Sequence, residues 1–239
     1  MQKIKVPFGW SIKKIKDIGK CVTGTTPKTK QIEYYSPPDY DFISPADLRE
    51  SKYKYIYDSS KKVSRKGLKV SKPIPKNSVL CVCIGSSIGK VGLSWHEQSC
   101  TNQQINAIIC NYLYNPHFIY YLLFYYSNYW KNFATFSTVP ILNKGRFEQI
   151  EIPIPPLKEQ QKIAQVLSLV QKAIHQQEQL IAKTTELKKA AMKKLFTEGT
   201  RGEPQKMTEI GLIPESWEVV QLGNFCQVKN TSLSFKKIS

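Results

Sequence analysis

Hydrophobic and polar positions change rhythm once along this chain. From Leu157 to Thr197 there is no proline and no glycine. Ile163, Val166, Leu167, Val170, Ile174, Leu180, Ile181, Leu187, Ala191 and Leu195 recur at threes and fours, with Gln, Lys and Glu between them. This spacing puts apolar side chains on one helical face and predicts an amphipathic helix of about 40 residues, ~60 Å long at 1.5 Å per residue. Gly199, Gly202 and Pro204 then stop it. Such a helix is too long for a small domain to bury. Its stripe, interrupted by Gln177 and Thr184, calls for a coiled-coil partner rather than a seat on its own domain.

Ahead of the helix the apolar runs are short. "NSVLCVCIG" (77–85) and "QINAIIC" (104–110) read as buried strands. "NPHFIYYLLFYYSNYWKNF" reads as an aromatic-rich helix with Asn115 as N-cap and Pro116 at its first position. "FEQIEIPIPP" reads as a last strand, ended by Pro153, Pro155 and Pro156. Beyond the helix "IPESWEVVQLG" repeats the opening "VPFGWSIKKIK": aligning Pro7 with Pro214 puts Trp10 on Trp217, Ile12 on Val219 and Ile15 on Leu222. The expected fold class is α+β: a mixed α/β domain over 1–156, the long helix over 157–198, a linker over 199–207, and over 208–239 the start of a second, incomplete unit. That last piece has too few partners to fold alone and is expected to pack against the first domain near Trp10.

Charge narrows the partners. The 239 residues carry 35 Lys+Arg against 18 Asp+Glu, a net +17, which favours a polyanion such as nucleic acid. The N-terminus has no apolar core of signal-peptide length. The longest strongly apolar run, Phe118–Tyr126, is nine residues, far short of the ~20 that span a bilayer, so neither secretion nor a membrane is expected. Six cysteines are expected to stay reduced in a cytoplasmic protein, and neither they nor the three histidines make a zinc pattern.

Two stretches invite an enzymatic reading and fail. "GSSIGKV" (85–91) is one residue short of a phosphate-binding loop, and Val91 stands where Ser or Thr would bind magnesium. "SPPDY" (36–40) is similar to the Asn/Asp-Pro-Pro-aromatic motif of amino-methyltransferases. However, Ser36 lacks the amide or carboxylate, and Asp39 intervenes before Tyr40. No catalytic residue, metal or cofactor is expected.

"IEIPIPPLKEQQKIAQVL" (150–167) resembles the junction between a target-recognition domain and the conserved helix in specificity (S) subunits of type I restriction–modification enzymes. "ELKKAAMKKLFTEG" (186–199) resembles the end of that helix, and "IGLIPESWEVVQLG" the threshold of a second recognition domain. "FISPADL", "VLCVCIGSSIGKVGL" and "TNQQINAI" follow the family's usual order. The resemblance implies a non-catalytic subunit that reads half of a split site in double-stranded DNA. Its helix would pair as an antiparallel coiled coil and dock methyltransferase (M) subunits, with nuclease (R) subunits joining the complex. A full S subunit would carry two domains and two helices. This chain has one of each and is expected to complete itself as a homodimer or to be a truncation. The alternatives are a recognition fragment of a fused restriction–methyltransferase, against which the start at Met1 speaks, and a non-specific coiled-coil scaffold.

DNA contact then accounts for the polar residues. Lys52, Lys54, Lys61, Lys62, Arg65, Lys66, Lys69, Lys72 and Lys76 are opposed within 52–76 only by Asp58, a net +8, and "DSSKKVSRKG" reads as an exposed loop. Lys61, Lys62, Arg65, Lys66 and Lys69, with Lys28 and Lys30 after "TGTTP", are the expected phosphate contacts. Base reading needs amides, hydroxyls and guanidinium groups, which leaves Ser86, Ser87, Asn102, Gln103, Asn143, Lys144 and Arg146. Asn102 and Gln103 serve equally well to satisfy a strand edge. Arg49 is a further arginine, and Tyr53, Tyr55 and Tyr57 alternate as along a strand.

Overall fold

The computed structural model describes residues 6–48, 54–135 and 138–226. Arg49, Lys52 and Tyr53, and the chain from 227 on, lie outside the described residues. The chain divides into two units, Met1–His175 and Gln176–Ser239.

The first unit runs β1 (Ser11–Lys14), α1 (Ile15–Ile18), β2 (Gly19–Thr23), β3 (Tyr40–Ile43), β4 (Tyr55–Ile56), β5 (Lys62–Val63) and α2 (Arg65–Val70). It continues with β6 (Val79–Val82), β7 (Val91–Ser94), β8 (Cys100–Thr101), β9 (Ile105–Cys110), α3 (Pro116–Tyr125), α4 (Ser127–Lys131), α5 (Lys144–Glu148), β10 (Glu151–Ile154) and the first turns of α6 (Leu157–Glu198). A five-stranded sheet has the order β2-β9-β6-β7-β4. Its pairs are antiparallel except β4 with β7. A three-stranded sheet has the order β5-β3-β8, and β1 pairs antiparallel with β10.

The period of two along β6 divides its side chains between two cores. Val79, Cys81 and Cys83 face α3, α4 and α5, where Ile119, Leu123, Trp130 and Phe147 are fully buried. Leu80 and Val82 face Ile43, Leu48, Ile56 and Ile74 on the other side. The buried cysteines act as small apolar groups: burial pushes the Cys21, Cys83 and Cys100 thiols up to about 12.

Three expectations need correction. The aromatic segment 115–133 is two helices, because the chain turns at Tyr126, and Trp130 Nε1 donates back to the Leu123 carbonyl at 2.8 Å. The last strand read in 147–156 forms at Glu151–Ile154, but Phe147 and Glu148 belong to helix α5: Asn143 caps it by accepting from the Arg146 N–H at 2.9 Å, and Phe147 anchors it in the core. The lysine-rich "DSSKKVSRKG" is not simply a loop. It forms β5 and α2, with Ser64 as N-cap and Val63 and Leu68 buried.

Helix α6 is fastened to its domain on one face. Trp10 Nε1 donates to Glu159 Oε1 at 3.1 Å, and the indole edge meets Phe118. Gln160 is 2% exposed. Its Oε1 accepts from the Asn115 N–H at 2.9 Å, and its Nε2 donates to the carbonyls of Pro155 (3.0 Å) and Leu113 (3.4 Å). Ala164 is buried four residues on, and Ser168 meets Lys54 four further. A leucine at 160 would strand a buried N–H and two carbonyls, at about 1–3 kcal/mol for each group left unpaired. Gln160→Leu is therefore expected to lower unfolding free energy by about 3 kcal/mol or more, with urea denaturation as the check.

At 100° per residue, the exposed stripe through Val166, Val170 and Ile174 is centred about 120° from the face of Gln160, Ala164 and Ser168. Val170 and Ile174 are about half exposed, and Leu169, Met192 and Phe196 widen the apolar surface.

In the second unit, the rest of α6 ends at Gly199 (φ +67°) and is followed by a hairpin, β11 (Gln205–Thr208) and β12 (Gly211–Pro214). The Trp217 ring meets Phe196 edge-on. The repeated phrase makes the same turn twice: the Trp10 N–H donates to the Pro7 carbonyl at 3.2 Å, and the Trp217 N–H to that of Pro214 at 3.0 Å. A short helical turn follows at the same offset, at Ile15–Ile18 and at Leu222–Asn224 (15 + 207 = 222).

Candidate nucleic-acid interface

The sheet registers send one set of loops to a single edge. β2 ends there at Thr23, β3 at Ile43, β6 at Val82 and β8 at Thr101, while β7 and β9 begin there. The loops at that edge are therefore 24–31, 44–48, 83–90 and 102–104. The first turn of α6 leaves from the other end of β9, where the 111–115 loop holds Gln160.

Short-range bonds tie these loops together. The Thr25 N–H donates to the Thr101 carbonyl at 3.1 Å, and Thr26 Oγ1 to Gln103 Oε1 at 2.6 Å. The Asn102 N–H donates to Ile43, and the Asn102 Oδ1 accepts from the Gln104 N–H at 3.0 Å. The Gln104 Nε2 donates to the Ile84 carbonyl at 3.5 Å, and Ile84 bridges to Ile141. Ser44 and Ser60 donate to Asp47. Burial raises the Asp47 carboxyl, but hydrogen bonding from Ser60 and Ser44 outweighs it and holds its pKa below the ordinary value.

The expected base readers divide accordingly. Ser86, Ser87, Asn102 and Gln103 come together at this edge. Asn102 is half-buried and holds a turn, whereas Gln103 and Ser86 are exposed. Asn143 reaches the edge through the Leu142 N–H bond to Cys83, but its side chain is committed to capping α5. Lys144 and Arg146 lie on α5 beside β2, just past the 140–142 segment whose backbone bonds the 83–90 loop. Lys144 pairs with Glu148 at 3.4 Å, and Arg146 lines a shallow cleft with Phe133, Thr135 and Gln149.

The expected phosphate residues Lys28, Lys30, Lys61, Lys62, Arg65, Lys66 and Lys69 are all exposed. Lys28 and Lys30 lie in the 24–31 edge loop, and Lys61 lies opposite Phe42 near that edge. Lys62 is engaged by Asp58 (3.0 Å) and Lys66 by Glu33 (2.8 Å), so these two offer less free charge than Lys61 and Arg65. Tyr55 and Tyr57 both pack on Trp95; Tyr55 is half-buried, whereas Tyr57 stays exposed.

Sequence reasoning missed Thr26, Lys131 and Gly24. The Lys131 side chain lies over Gly89 (φ +99°) in the turn that carries Ser86 and Ser87, and a Cβ at Gly89 would collide with it. Among the described residues, the backbone N–H groups of Ser86 and Ser87 have no hydrogen-bond partner, so turn and ammonium together suit an anion. Gly24 lets two loops touch: a Cβ there would strike the carbonyl oxygens of Thr101 and Asn102. Gly24→Ala is expected to cost about 1–3 kcal/mol of stability and to reduce the ratio of specific to non-specific DNA binding. Thermal melting and competition binding would check both. Among the described residues, no cluster could hold a metal ion, and no helix is long and apolar enough to cross a membrane.

Residues 7–185 match the family model described as the type I restriction modification DNA specificity domain. The chain belongs to this family. The type I restriction enzyme MjaIX specificity subunit of Methanocaldococcus jannaschii is 33% identical over 95% of this chain and 54% of its own length. Two solved members share the specificity-domain fold. The HsdS subunit from Thermoanaerobacter tengcongensis has a TM-score of 0.56 at 16% identity, covering 83% of this chain and 48% of that one. The S subunit from M. genitalium has a TM-score of 0.57 at 18% identity, covering 83% and 48%. The chain spans about half the length of the curated relatives it matches.

Proposed function

We propose that the domain over 1–156 reads one half of a split DNA site, and that α6 sets the distance to the other half. The loop edge with Gln103, Ser86 and Ser87 meets base edges, and the lysines around it hold phosphates without reading sequence. The chain itself catalyses nothing. Its helix presents the surface on which methyltransferase subunits assemble, joined in the restriction complex by nuclease subunits, in the cytoplasm.

The observation that carries this reading is the direction of the α6 stripe. Its apolar face points away from the domain that anchors the helix, so the domain cannot cover it. A second helix running antiparallel can, with Gln177 near the middle of the paired length, where a polar layer fixes register. A second copy of this chain supplies that helix, and its two-fold axis makes the target an inverted repeat with a gap. Selection of bound duplexes from a random pool, with sedimentation on the same preparation, is the test. Gapped inverted repeats and a dimeric mass are expected; a monomer that recovers single half-sites would overturn the pairing.

A further inference from the structure

Lys54 precedes β4, and its carbonyl accepts from the Leu93 N–H at 2.6 Å, which fixes its backbone to the central sheet. Its side chain is half-buried against α6. Nζ donates to Ser168 Oγ at 2.8 Å and sits 5.4 Å from the Tyr55 ring centroid and 5.7 Å from that of Tyr121. The Tyr121 hydroxyl meets the same Ser168 oxygen at 3.5 Å. Among the described residues, no carboxylate lies within ion-pair distance of Lys54. Burial lowers its pKa, so the ammonium has lost part of its hydration to hold this place. A leucine or methionine would fill the same space without that cost. The cation adds direction: two donors from β4 and α3 converge on one oxygen of α6.

That direction matters because of leverage. Gln160, Ala164 and Ser168 are three layers on one face, spread over ~12 Å of helix. Without the third layer, α6 is held only over its first two turns. A 10° change in helix direction at Ser168 moves a point 30 residues further along by ~8 Å, more than two base-pair steps of ~3.4 Å. A one-residue slip would turn Ser168 by ~100° away from both donors.

We propose that Lys54, Tyr121 and Ser168 form a clamp that sets how many base pairs separate the two half-sites. This rests on the reading that paired α6 helices space two recognition domains. The three are positioning residues and need not touch DNA.

The test uses the full chain and a random duplex pool, with gap length read from the recovered sequences. Wild type is expected to select one gap length. Ser168→Ala and Lys54→Met are expected to spread recovery over neighbouring gaps, so that the preferred gap is favoured over its neighbours at least about tenfold less. The half-site bases should stay the same. Ser168→Thr, which keeps the hydroxyl, should restore the wild-type distribution. A variant distribution identical to wild type overturns the clamp alone. Equal loss of affinity at every gap makes Lys54 a phosphate contact and also overturns it. Wild type with no preferred gap overturns the spacing reading and the clamp with it. Ser168→Ala buries no new bulk, so it reports even where Lys54→Met does not fold.

Discussion

Val170→Glu combined with Ile174→Glu is expected to turn a dimer into a monomer at micromolar concentration. Both side chains are about half exposed on the α6 face turned away from the domain, so the substitutions disturb no intramolecular core. In a two-fold pair, four such side chains leave water together. Full burial is worth about 1.5–3 kcal/mol each; with about half of each side chain left to bury, the four contribute roughly 3–6 kcal/mol, and replacing them with four carboxylates adds desolvation and repulsion. Each 1.4 kcal/mol is about tenfold in affinity, so dissociation should strengthen by more than about 10². Sedimentation equilibrium reads the mass, and thermal melting of the domain should stay within about 1 kcal/mol of wild type. Tight binding to gapped sites should disappear while weak half-site binding survives. Unchanged mass would place the partner helix on another face.

Much of α6 was legible because nothing competes with its periodicity: no proline, no glycine and a repeating apolar stripe. What could not be read was which face meets the domain. Gln160 and Ser168 look like solvent positions in the sequence. They are enclosed because Asn115, Leu113, Pro155 and Lys54 bring them hydrogen bonds, three of the four from segments 45 or more positions away. Burial of a polar side chain by such partners leaves no periodic trace.

Strands β6 and β9 were readable as apolar runs because both their faces are covered. The lysine-rich segment misled because charge hid a cap. Ser64 accepts from the Gly67 N–H at 3.2 Å, and Val63 and Leu68 fasten β5 and α2 inside. The same ambiguity governs the candidate base readers. Asn102 and Asn143 have the right chemistry for adenine, yet one holds a turn and the other caps a helix. Residue type alone does not separate these uses, since the amide that recognises a base edge equally recognises a free backbone N–H. Gly24 carried a signal that sequence reading passed over: it marks a place where two backbone carbonyl oxygens come too close for a Cβ.

Replacing Lys61, Lys62, Arg65 and Lys66 together with Ala is expected to weaken binding to every DNA sequence by about 10- to 100-fold at physiological salt and to flatten the salt dependence. Each phosphate contact contributes about 0.9 to the slope of log affinity against log salt, but the four residues are not equal. Lys62 already faces Asp58, and hydrogen bonding to that carboxylate raises its pKa; Lys66 is raised in the same way by Glu33. An acid beside a lysine offsets part of the charge that phosphate would feel. The slope should therefore fall by about 2–3 per protomer rather than by the ~3.6 of four free cations. The opposite change checks the reasoning: Glu33→Gln with Asp58→Asn releases Lys66 and Lys62, and should steepen the slope and raise non-specific affinity. Both pairs are exposed, so folding stability should hardly respond. Loss confined to the selected site would move these residues from phosphate holding to base reading. An unchanged slope in the fourfold variant would place the DNA on a different surface of the domain.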